Sequence, residues 1–301
     1  MTPIRIATRG SDLALWQARF VASKLGRESE LVIVSTRGDR DQASSLSEMG
    51  GQGVFVKEVQ AALLDGRADL AVHSAKDLPV MSPDGLAIGA FPERGDVRDA
   101  LVGKALGELQ SGEVIATGSL RRQVQLKFMR PDLEFTSLRG NIATRIAMAQ
   151  RYGAVVVAYA ALERLGRLDA IAQVFGPEEM IPQVGQGALA VECRSSDDDL
   201  QACLSAIDDP NTRLAVESER SFLERLGGGC SLPVGAYATV DAAVKRIDLI
   251  AFIGSPNASF GVHAAGSGFD PHELGARLGQ ELLEKGGLNL LDQLNAGGHH
   301  D

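Results

Sequence analysis

The stretches VIATGSLRR (residues 114–122) and LEFTSLRGN (residues 133–141) decide the fold of this chain. Each begins as a short apolar strand, passes through small polar residues and contains arginine where a helical pattern follows. Repeated strand-to-helix units predict an α/β fold, in which ligands bind at the carboxyl ends of the strands. The arginines therefore lie where such a fold binds its ligand. The predicted strands are 114–116 and 133–136, and the predicted helices are 119–129 and 142–151.

Four of the arginines between residues 117 and 145 lie near small polar residues, and their chemistry indicates an anion site. A guanidinium offers a rigid fork of donors that fits carboxylates and phosphates, and hydroxyls at helix starts add further donors. The chain has a formal charge of -9, so it has no general need for cations here. The alternative is that arginine is simply common, since the chain has 23 Arg and only 7 Lys. The cluster comprises Arg121, Arg122, Arg139 and Arg145, with the hydroxyls of Thr117 and Ser119.

Size and composition limit the possible classes of protein. A chain of 301 residues with 45% hydrophobic and 23% charged residues is typical of a globular protein with two or three domains. Its negative charge argues against nucleic-acid and anionic-membrane partners, and no apolar run approaches the roughly 20 residues of a membrane helix. The beginning of the chain lacks the apolar core of a signal peptide. Three cysteines form no disulfide framework, so we expect a cytoplasmic protein.

Cys230 follows three glycines and precedes Ser231. Glycines accept positive φ and remove side-chain bulk, so the thiol is predicted to stand on an uncrowded loop. It is either a covalent attachment point or nucleophile, or a half-buried loop cysteine. Neither His263 nor His272 lies in a recognisable partner motif for a catalytic cysteine. The histidines and cysteines show no metal-ligand spacing, so no metal is expected.

Two further segments combine polar residues with strand ends or glycines. In the first, Ser74, Lys76 and Asp77 close a predicted strand, and a carboxylate beside a cation can do acid–base work or stabilise a positive charge. An ordinary solvated turn is the alternative. In the second, glycines flank Gln186 within residues 184–189. That segment either donates amides to a ligand or forms a tight crossing between domains.

The remaining pattern predicts connections and a C-terminal α/β unit. Residues 37–53 are a long polar loop, and residues 208–211 are a linker, so both are candidate sites of domain motion. A hairpin is predicted at 237–240 and 247–253, followed by a final helix at 271–285.

Nine motifs, taken together and in order, resemble the porphobilinogen deaminase (hydroxymethylbilane synthase) family and cover most of residues 4–235. Together they are far more specific than any single motif. They are RIATR at 5–9 with Ser11, LALWQA at 13–18, TRGD at 36–39, FVKE at 55–58, AVHSAKD at 71–77, GSLRR at 118–122, LRGN at 138–141, VGQG at 184–187 and GGC at 228–230.

The resemblance implies an α/β fold of three domains. Two are periplasmic-binding-protein-like lobes with mixed sheets, and a smaller C-terminal α/β domain carries the cofactor cysteine. The implied bounds are 1–93 with 188–206, 94–187 and 210–301.

The resemblance also implies the chemistry. A dipyrromethane cofactor is held by a thioether to Cys230, and a transferase of tetrapyrrole (haem) biosynthesis extends it. Four porphobilinogen molecules are joined head-to-tail with release of ammonia, and hydroxymethylbilane is freed by hydrolysis. Porphobilinogen is the expected small-molecule substrate, without nucleic-acid or membrane partners, and the protein is expected to be a monomer.

Site residues are carried over from the resemblance position by position. Asp77 is the catalytic residue, which hydrogen-bonds pyrrole N–H groups and stabilises the cation formed when ammonia leaves. Phe55 is expected to stack on a ring, and Gln186 and Gly187 to line the inter-domain side. The complete set expected to bind cofactor and substrate is Arg9, Ser11, Phe55, Ser74, Lys76, Thr117, Ser119, Arg121, Arg122, Arg139, Arg145, Arg164, Gln186 and Gly187.

The chain departs from the family pattern at three places. Gln52 replaces the lysine of a Gly-Gly-Lys-Gly motif, Glu48 stands where a basic residue is frequent, and Gly118 replaces the central serine of a Thr-Ser-Ser motif. These changes concern the predicted loop and the first arginine motif. A second hypothesis from the residues alone is an anion-binding or sensing module on a binding-protein fold. It explains the arginines but not Cys230 after three glycines.

Overall fold

Strands and helices alternate along most of this computed structural model, which describes residues 2–36, 56–228 and 233–290. The apolar runs found in the sequence become buried strands; all five residues of the strand AVVVA at 154–158 are buried. In chain order, the strands of this part are β1 (Ile4–Thr8), β2 (Ser29–Ile33), β3 (Leu70–Ser74), β4 (Leu86–Ala90), β5 (Asp99–Gly103), β6 (Val114–Ala116), β7 (Glu134–Thr136), β8 (Ala154–Ala158), β9 (Ile171–Val174), β10 (Leu189–Arg194), β11 (Val234–Asp241), β12 (Arg246–Gly254) and β13 (Gly261–Gly268).

The helices begin and end at residues with a physical reason to do so. Side chains of Ser11, Asn141 and Asp209 each accept a backbone N–H at the start of a helix, which satisfies donors that the helix leaves free. Gly26 ends the first helix in the left-handed conformation. The α-helices of the described residues are α1 (Asp12–Leu25), α2 (Lys57–Leu64), α3 (Leu120–Met129), α4 (Ile142–Met148), α5 (Tyr159–Arg164), α6 (Asp198–Ser205), α7 (Pro210–Arg225) and α8 (Pro271–Leu282).

The first sheet has the order β2-β1-β3-β10-β4. Strands β1, β2 and β3 pair in parallel, whereas β10 runs antiparallel to both β3 and β4. Helices α1, α2 and α6 pack on it, and we call this sheet with its three helices lobe 1. The parallel arrangement brings the carboxyl end of β3, with Lys76 and Asp77 just beyond it, to one edge of the sheet.

The second sheet repeats this arrangement with the order β7-β6-β8-β5-β9. Strand β6 pairs in parallel with β7 and β8, whereas β5 is antiparallel to β8 and β9. We call it, with α3, α4 and α5, lobe 2. The chain passes from lobe 1 to lobe 2 after β4 and returns after β9, and both arginine motifs lie between a strand end and a helix, as predicted.

A C-terminal unit follows, in which β11, β12 and β13 form an antiparallel sheet against α7 and α8. Its core includes the fully buried Phe222, Ile247 and Leu278. The predicted hairpin corresponds to β11 and β12, while β13 was not predicted. The helix expected after a linker at 208–211 begins earlier, at Pro210, because Asp209 caps it.

The predicted fold class, α/β with two mixed sheets and a smaller C-terminal α/β unit, is confirmed. No helix in the described ranges is both long and apolar enough to cross a membrane.

Candidate active site

The turn that follows β3 brings Lys76 and Asp77 to the edge of lobe 1. Residues Ala75–Asp77 form a single 3-10 turn, and Ala75 N donates a 3.0 Å hydrogen bond to Ala188 O on the chain returning from lobe 2. Asp77 is exposed and Lys76 is half-buried. Ser74, at the end of β3, accepts a 2.8 Å hydrogen bond from Gln17 Nε2 of α1. The turn is therefore held from both lobe 1 and the second crossover.

Lys76 is a desolvated cation. Its Nζ lies 3.4 Å from Gln186 Oε1, the one hydrogen bond of this amine to the described residues. Burial lowers the pKa of Lys76 to about 8, the positive charge of Arg122 acts in the same direction, and Asp77 opposes both. The amine is thus still protonated near neutral pH, although few groups around it stabilise the charge.

Arg145 of α4, in lobe 2, lies close enough to Asp77 for the two charges to interact. Its Nε donates to Gly140 O at 2.9 Å. Burial and the positive charge of Arg122 lower the pKa of Arg145 to about 10, while the negative charge of Asp77 opposes them. Asp77 therefore lies close enough to influence cations from both lobes.

Arg164, at the end of α5, is the third desolvated cation. Its Nη2 donates to Gly187 O, and its Cζ lies 5.5 Å from the centre of the Trp16 ring in lobe 1. Burial lowers the pKa of Arg164 to about 10. Arg164 thus belongs to lobe 2 but touches both lobe 1 and the second crossover.

These three cations share one property, which defines the site. Among the residues that the structure describes, no carboxylate lies within ion-pair distance of Lys76, Arg145 or Arg164. Burying a charge without a counter-ion costs free energy, and an anionic ligand recovers it. The edge where the two lobes meet is therefore suited to a ligand with several negative charges.

The arginine pair at the start of α3 has a different environment, because both guanidinium groups contact Asp99. Arg121 Nη2 and Arg122 Nη2 each lie 2.7 Å from an oxygen of this carboxylate, and Gln186 Nε2 donates to it at 2.9 Å. Burial alone would raise the pKa of Asp99, but the two arginines hold it well below its usual range. Their assignment to ligand carboxylates stays a prediction, since Asp99 already uses part of their hydrogen-bonding capacity.

The remaining predicted residues occupy varied positions. Ser11 caps α1, accepting from Ala14 N at 3.4 Å, and Thr117 is buried with its hydroxyl accepting from Ser119 N at 3.2 Å. Arg9 and Arg139 are half-buried. Cys230 and Phe55 lie outside the described residues, as do the departures at Glu48 and Gln52 and the predicted loop at 37–53.

Gly118, the third departure, has a local structural reason. A Cβ at this position would lie 3.0 Å from Leu138 O, which is closer than carbon and oxygen normally approach. The backbones of the two arginine motifs are therefore in close contact at Gly118. A serine at this position would crowd Leu138 O.

At Gly187 the segment 184–189 makes a tight crossing between the lobes, while its predicted role in ligand binding stays a prediction. The φ of Gly187 is +83°, and a Cβ there would lie 2.5 Å from Gly95 O on the first crossover. Gly95 N also donates to Gly187 O at 3.2 Å. Only glycine fits where the two crossovers touch.

A buried pair that the sequence analysis did not identify supports β3. His73 Nε2 lies 3.0 Å from a carboxylate oxygen of Glu192 on β10, and Gln60 of α2 donates to both oxygens of that carboxylate at 3.1 and 3.0 Å. Burial would raise the pKa of Glu192, but His73 and Gln60 hold it below its usual range. The signal in the sequence was a glutamate between the apolar residues Val191 and Cys193 of the strand LAVECR.

No group of three or more His, Cys, Asp or Glu side chains suited to a metal ion occurs within 2–36, 56–228 and 233–290. The site therefore consists of cations, amides and the carboxylate of Asp77.

The fold and site define an α/β protein of two lobes whose meeting edge gathers desolvated cations. Comparison with known proteins identifies its family. Residues 4–202 match the family model described as porphobilinogen deaminase, dipyrromethane cofactor binding domain, and residues 213–284 match the porphobilinogen deaminase C-terminal domain. A porphobilinogen deaminase of Brevibacillus brevis is 44% identical over 300 residues, which cover 96% of this chain and 97% of that protein. The chain belongs to the porphobilinogen deaminase family.

Solved structures with lower similarity were also found. The VFT2 domain of BvgS from Bordetella pertussis is 16% identical with a TM-score of 0.40, covering 72% of this chain and 91% of that one. A periplasmic binding protein of Salmonella typhimurium, described as having high arginine specificity, is 12% identical with a TM-score of 0.38, covering 71% and 96%.

Family membership confirms the predicted activity. The chain is a transferase that polymerises four porphobilinogen molecules into hydroxymethylbilane with release of ammonia, on a covalently bound dipyrromethane cofactor. The alternative of an anion-sensing module without catalysis is therefore wrong.

Proposed function

We propose that Asp77 is the catalytic carboxylate of this transferase and that Lys76, Arg145 and Arg164 hold the carboxylates of the growing pyrrole chain. The observation that carries the proposal is the absence of a carboxylate partner for these three desolvated cations among the described residues. Every pyrrole unit carries an acetate and a propionate, so each addition brings two more negative charges. Cations that have no fixed counter-ion can bind these charges without first breaking an ion pair.

The residues present fit a dipyrromethane cofactor. Its four carboxylates match a site with three desolvated cations, and the half-buried Arg139 adds a positive charge close enough to influence Arg145. Gly227 and Gly228 take the left-handed conformation, with φ of +86° and +72°, where the chain leaves α7 in the direction of Cys230. When bound, the cofactor supplies the pyrrole carbon to which the first substrate unit is joined.

Asp77 is suited to the positive charge that develops on porphobilinogen as ammonia leaves. Its carboxylate is exposed at the ligand-binding edge and lies near cations of both lobes, so it can accept hydrogen bonds from pyrrole N–H groups. A fixed negative charge beside a developing cation lowers the barrier because it requires no reorganisation. Lys76 and Arg145, which both feel the charge of Asp77, bind the substrate carboxylates, and this leaves Asp77 to the developing positive charge.

We further propose three domains with bounds 1–93 with 188–206, 94–187 and 210–301, a monomeric state and a cytoplasmic location. The three sheets support the division, since strands 4–90 share one sheet with 189–194, strands 99–174 form the second and strands 234–268 the third. The free thiols of Cys193 and Cys203 agree with a reducing compartment.

Asp77→Ala tests the catalytic assignment. Ammonia release from porphobilinogen is expected to fall by at least about 100-fold, because a charge-stabilising group at the reacting centre is lost. Intact mass is expected to show that the cofactor is still attached. Asp84→Ala is the matched control, since Asp84 is an exposed carboxylate in the loop before β4, and it should retain full activity. Normal turnover in Asp77→Ala would remove the assignment.

A further inference from the structure

Trp16 and Arg164 meet across the boundary between the lobes. Trp16 lies on α1 of lobe 1, and Arg164 Cζ of lobe 2 lies 5.5 Å from the centre of its ring. The indole also stacks on Phe20, with ring centres 5.3 Å apart and planes 8° apart, and Lys24 Nζ lies 5.5 Å from the Phe20 ring. The indole that contacts Arg164 is thus held by a neighbour on its own helix.

The surroundings of this contact connect it to the active site. Leu13, one turn before Trp16, packs against the core of lobe 2, so α1 is the helix by which lobe 1 reaches its neighbour. A cavity of about 30 Å³ lies beside the contact, and both Lys76 and Arg164 line it. Arg164 also donates to Gly187 O on the second crossover. A substitution of Arg164 therefore alters contacts with both lobes and with the second crossover.

Arg164 differs from other arginines that lie over aromatic rings. Arg94, Arg98 and Arg213 lie over rings at 5.5, 5.1 and 5.2 Å. Each of these also has a carboxylate at 2.6 or 2.7 Å, so its charge is already neutralised. Within the described part of the chain, Arg164 has no such carboxylate. The aromatic face is its principal stabilising contact besides one carbonyl.

We propose that Trp16 is a positioning residue that holds the Arg164 guanidinium across the lobe boundary and releases it to a ligand carboxylate. A cation–π contact stabilises a guanidinium without neutralising it, and it is weaker than a two-pronged hydrogen-bonded pair with a carboxylate. A pyrrole acetate or propionate therefore displaces the indole, whereas it could not displace an aspartate. Each release removes one contact between the lobes. The inference rests on the proposed role of Arg164 in ligand binding.

The fluorescence of Trp16 provides a direct test, because it is the single tryptophan of the chain. Cofactor-loaded enzyme is mixed rapidly with porphobilinogen, and tryptophan emission is followed through the first turnover. Emission is expected to change in the wild type, and the change is expected to be at least several-fold smaller in Arg164→Gln. Arg167→Gln, at an exposed arginine three residues further on, is the matched control and should behave as wild type.

Two substitutions of Trp16 separate positioning from folding. Trp16→Leu removes the aromatic face and is expected to raise KM for porphobilinogen roughly tenfold with a smaller change in kcat. Trp16→Phe keeps an aromatic face and is expected to restore KM to within a few-fold of the wild type. Cofactor loading by intact mass and the thermal midpoint should change little in Trp16→Phe.

The outcomes distinguish this inference from the proposed role of Arg164. If Arg164→Gln leaves KM unchanged, the proposed binding role of Arg164 fails, and the inference fails with it. If Arg164→Gln raises KM but both Trp16 variants behave as wild type, only the inference is overturned. Turnover by the wild type without any change in Trp16 emission would also overturn the release step.

Discussion

Replacing Glu219 by Gln tests how the lobes are fastened to the C-terminal unit. Glu219 of α7 is fully buried and accepts four hydrogen bonds: from Arg94 Nη1 at 2.7 Å, Arg94 Nη2 at 3.0 Å, Gly185 N at 2.7 Å and Ala238 N at 2.9 Å. These donors come from the first crossover, the second crossover and strand β11. One carboxylate therefore joins three parts of the chain.

The expected cost follows from these contacts. The glutamine amide keeps one acceptor oxygen, but its NH2 group faces the two N–H groups that the other carboxylate oxygen had accepted. Each of these buried donors then lacks an acceptor, which costs about 1–3 kcal/mol. The substitution also leaves Arg94 as a buried charge without its partner, and breaking such a pair costs about 3–5 kcal/mol. The unsatisfied donors and the unpaired Arg94 charge result from the same lost hydrogen bonds, so their costs are not added. We therefore expect Glu219→Gln to lower the free energy of unfolding by about 3–5 kcal/mol.

Urea denaturation followed by circular dichroism measures this loss. Glu217→Gln on the same helix is the matched control, because Glu217 pairs with Arg213 at 3.1 Å near the surface and should cost less than about 1 kcal/mol. The double variant Arg94→Met with Glu219→Gln should recover part of the loss, since no unpaired charge remains. A Glu219→Gln protein within about 1 kcal/mol of wild type would refute the reasoning.

Two further predictions concern Lys76 and Gly187. In Cys230→Ala protein, which cannot form the thioether, acylation of Lys76 followed by peptide mass spectrometry should show a midpoint near pH 8, because burial favours the neutral amine. A midpoint of Lys76 at or above about pH 10 would contradict the desolvated environment. Gly187→Ala should lower the free energy of unfolding by roughly 2–4 kcal/mol, since its Cβ would meet Gly95 O at 2.5 Å in a left-handed backbone. Gly166 has a similar φ of +64° with open space around it, so Gly166→Ala is the control and should lower the free energy of unfolding by only about 1 kcal/mol. Equal losses in the two urea titrations would show that the backbone conformation, not the crossover contact, determines the cost at Gly187.

The strand-to-helix units of lobe 2 could be predicted because their signals are local. Apolar runs of three to five residues followed by small polar residues and a helical pattern define β6, β7 and the helices after them. Strands β5 and β10 were harder to predict, since each pairs antiparallel with segments distant in the chain. Strand β13 has the sequence GVHAAGSG, which is poor in β-branched residues, and its strand conformation depends on pairing with β12.

The candidate site was partly predictable for a similar reason. Residue types and strand ends predicted a gathering of charged groups that included Lys76, Asp77 and Arg145, whereas Arg164 was expected only from the family resemblance. The ion pairs of Arg121 and Arg122 with Asp99 could not be predicted from the sequence, because the three residues meet only through tertiary packing. A lone aspartate at the start of the buried strand DALVG was the available signal, since a buried carboxylate requires a cationic partner.

The antiparallel position of β10 has a consequence for how the molecule is made. β10 separates β3 from β4 in the first sheet, yet it is synthesised only after all strands of the second sheet. When β9 has been synthesised, all strands of the lobe 2 sheet are present, whereas the lobe 1 sheet still lacks the strand between β3 and β4. Ala188, which holds the turn of Lys76 and Asp77, arrives with β10. During translation, Asp77 thus gains this support only after Arg145 and Arg164 of lobe 2 have been made.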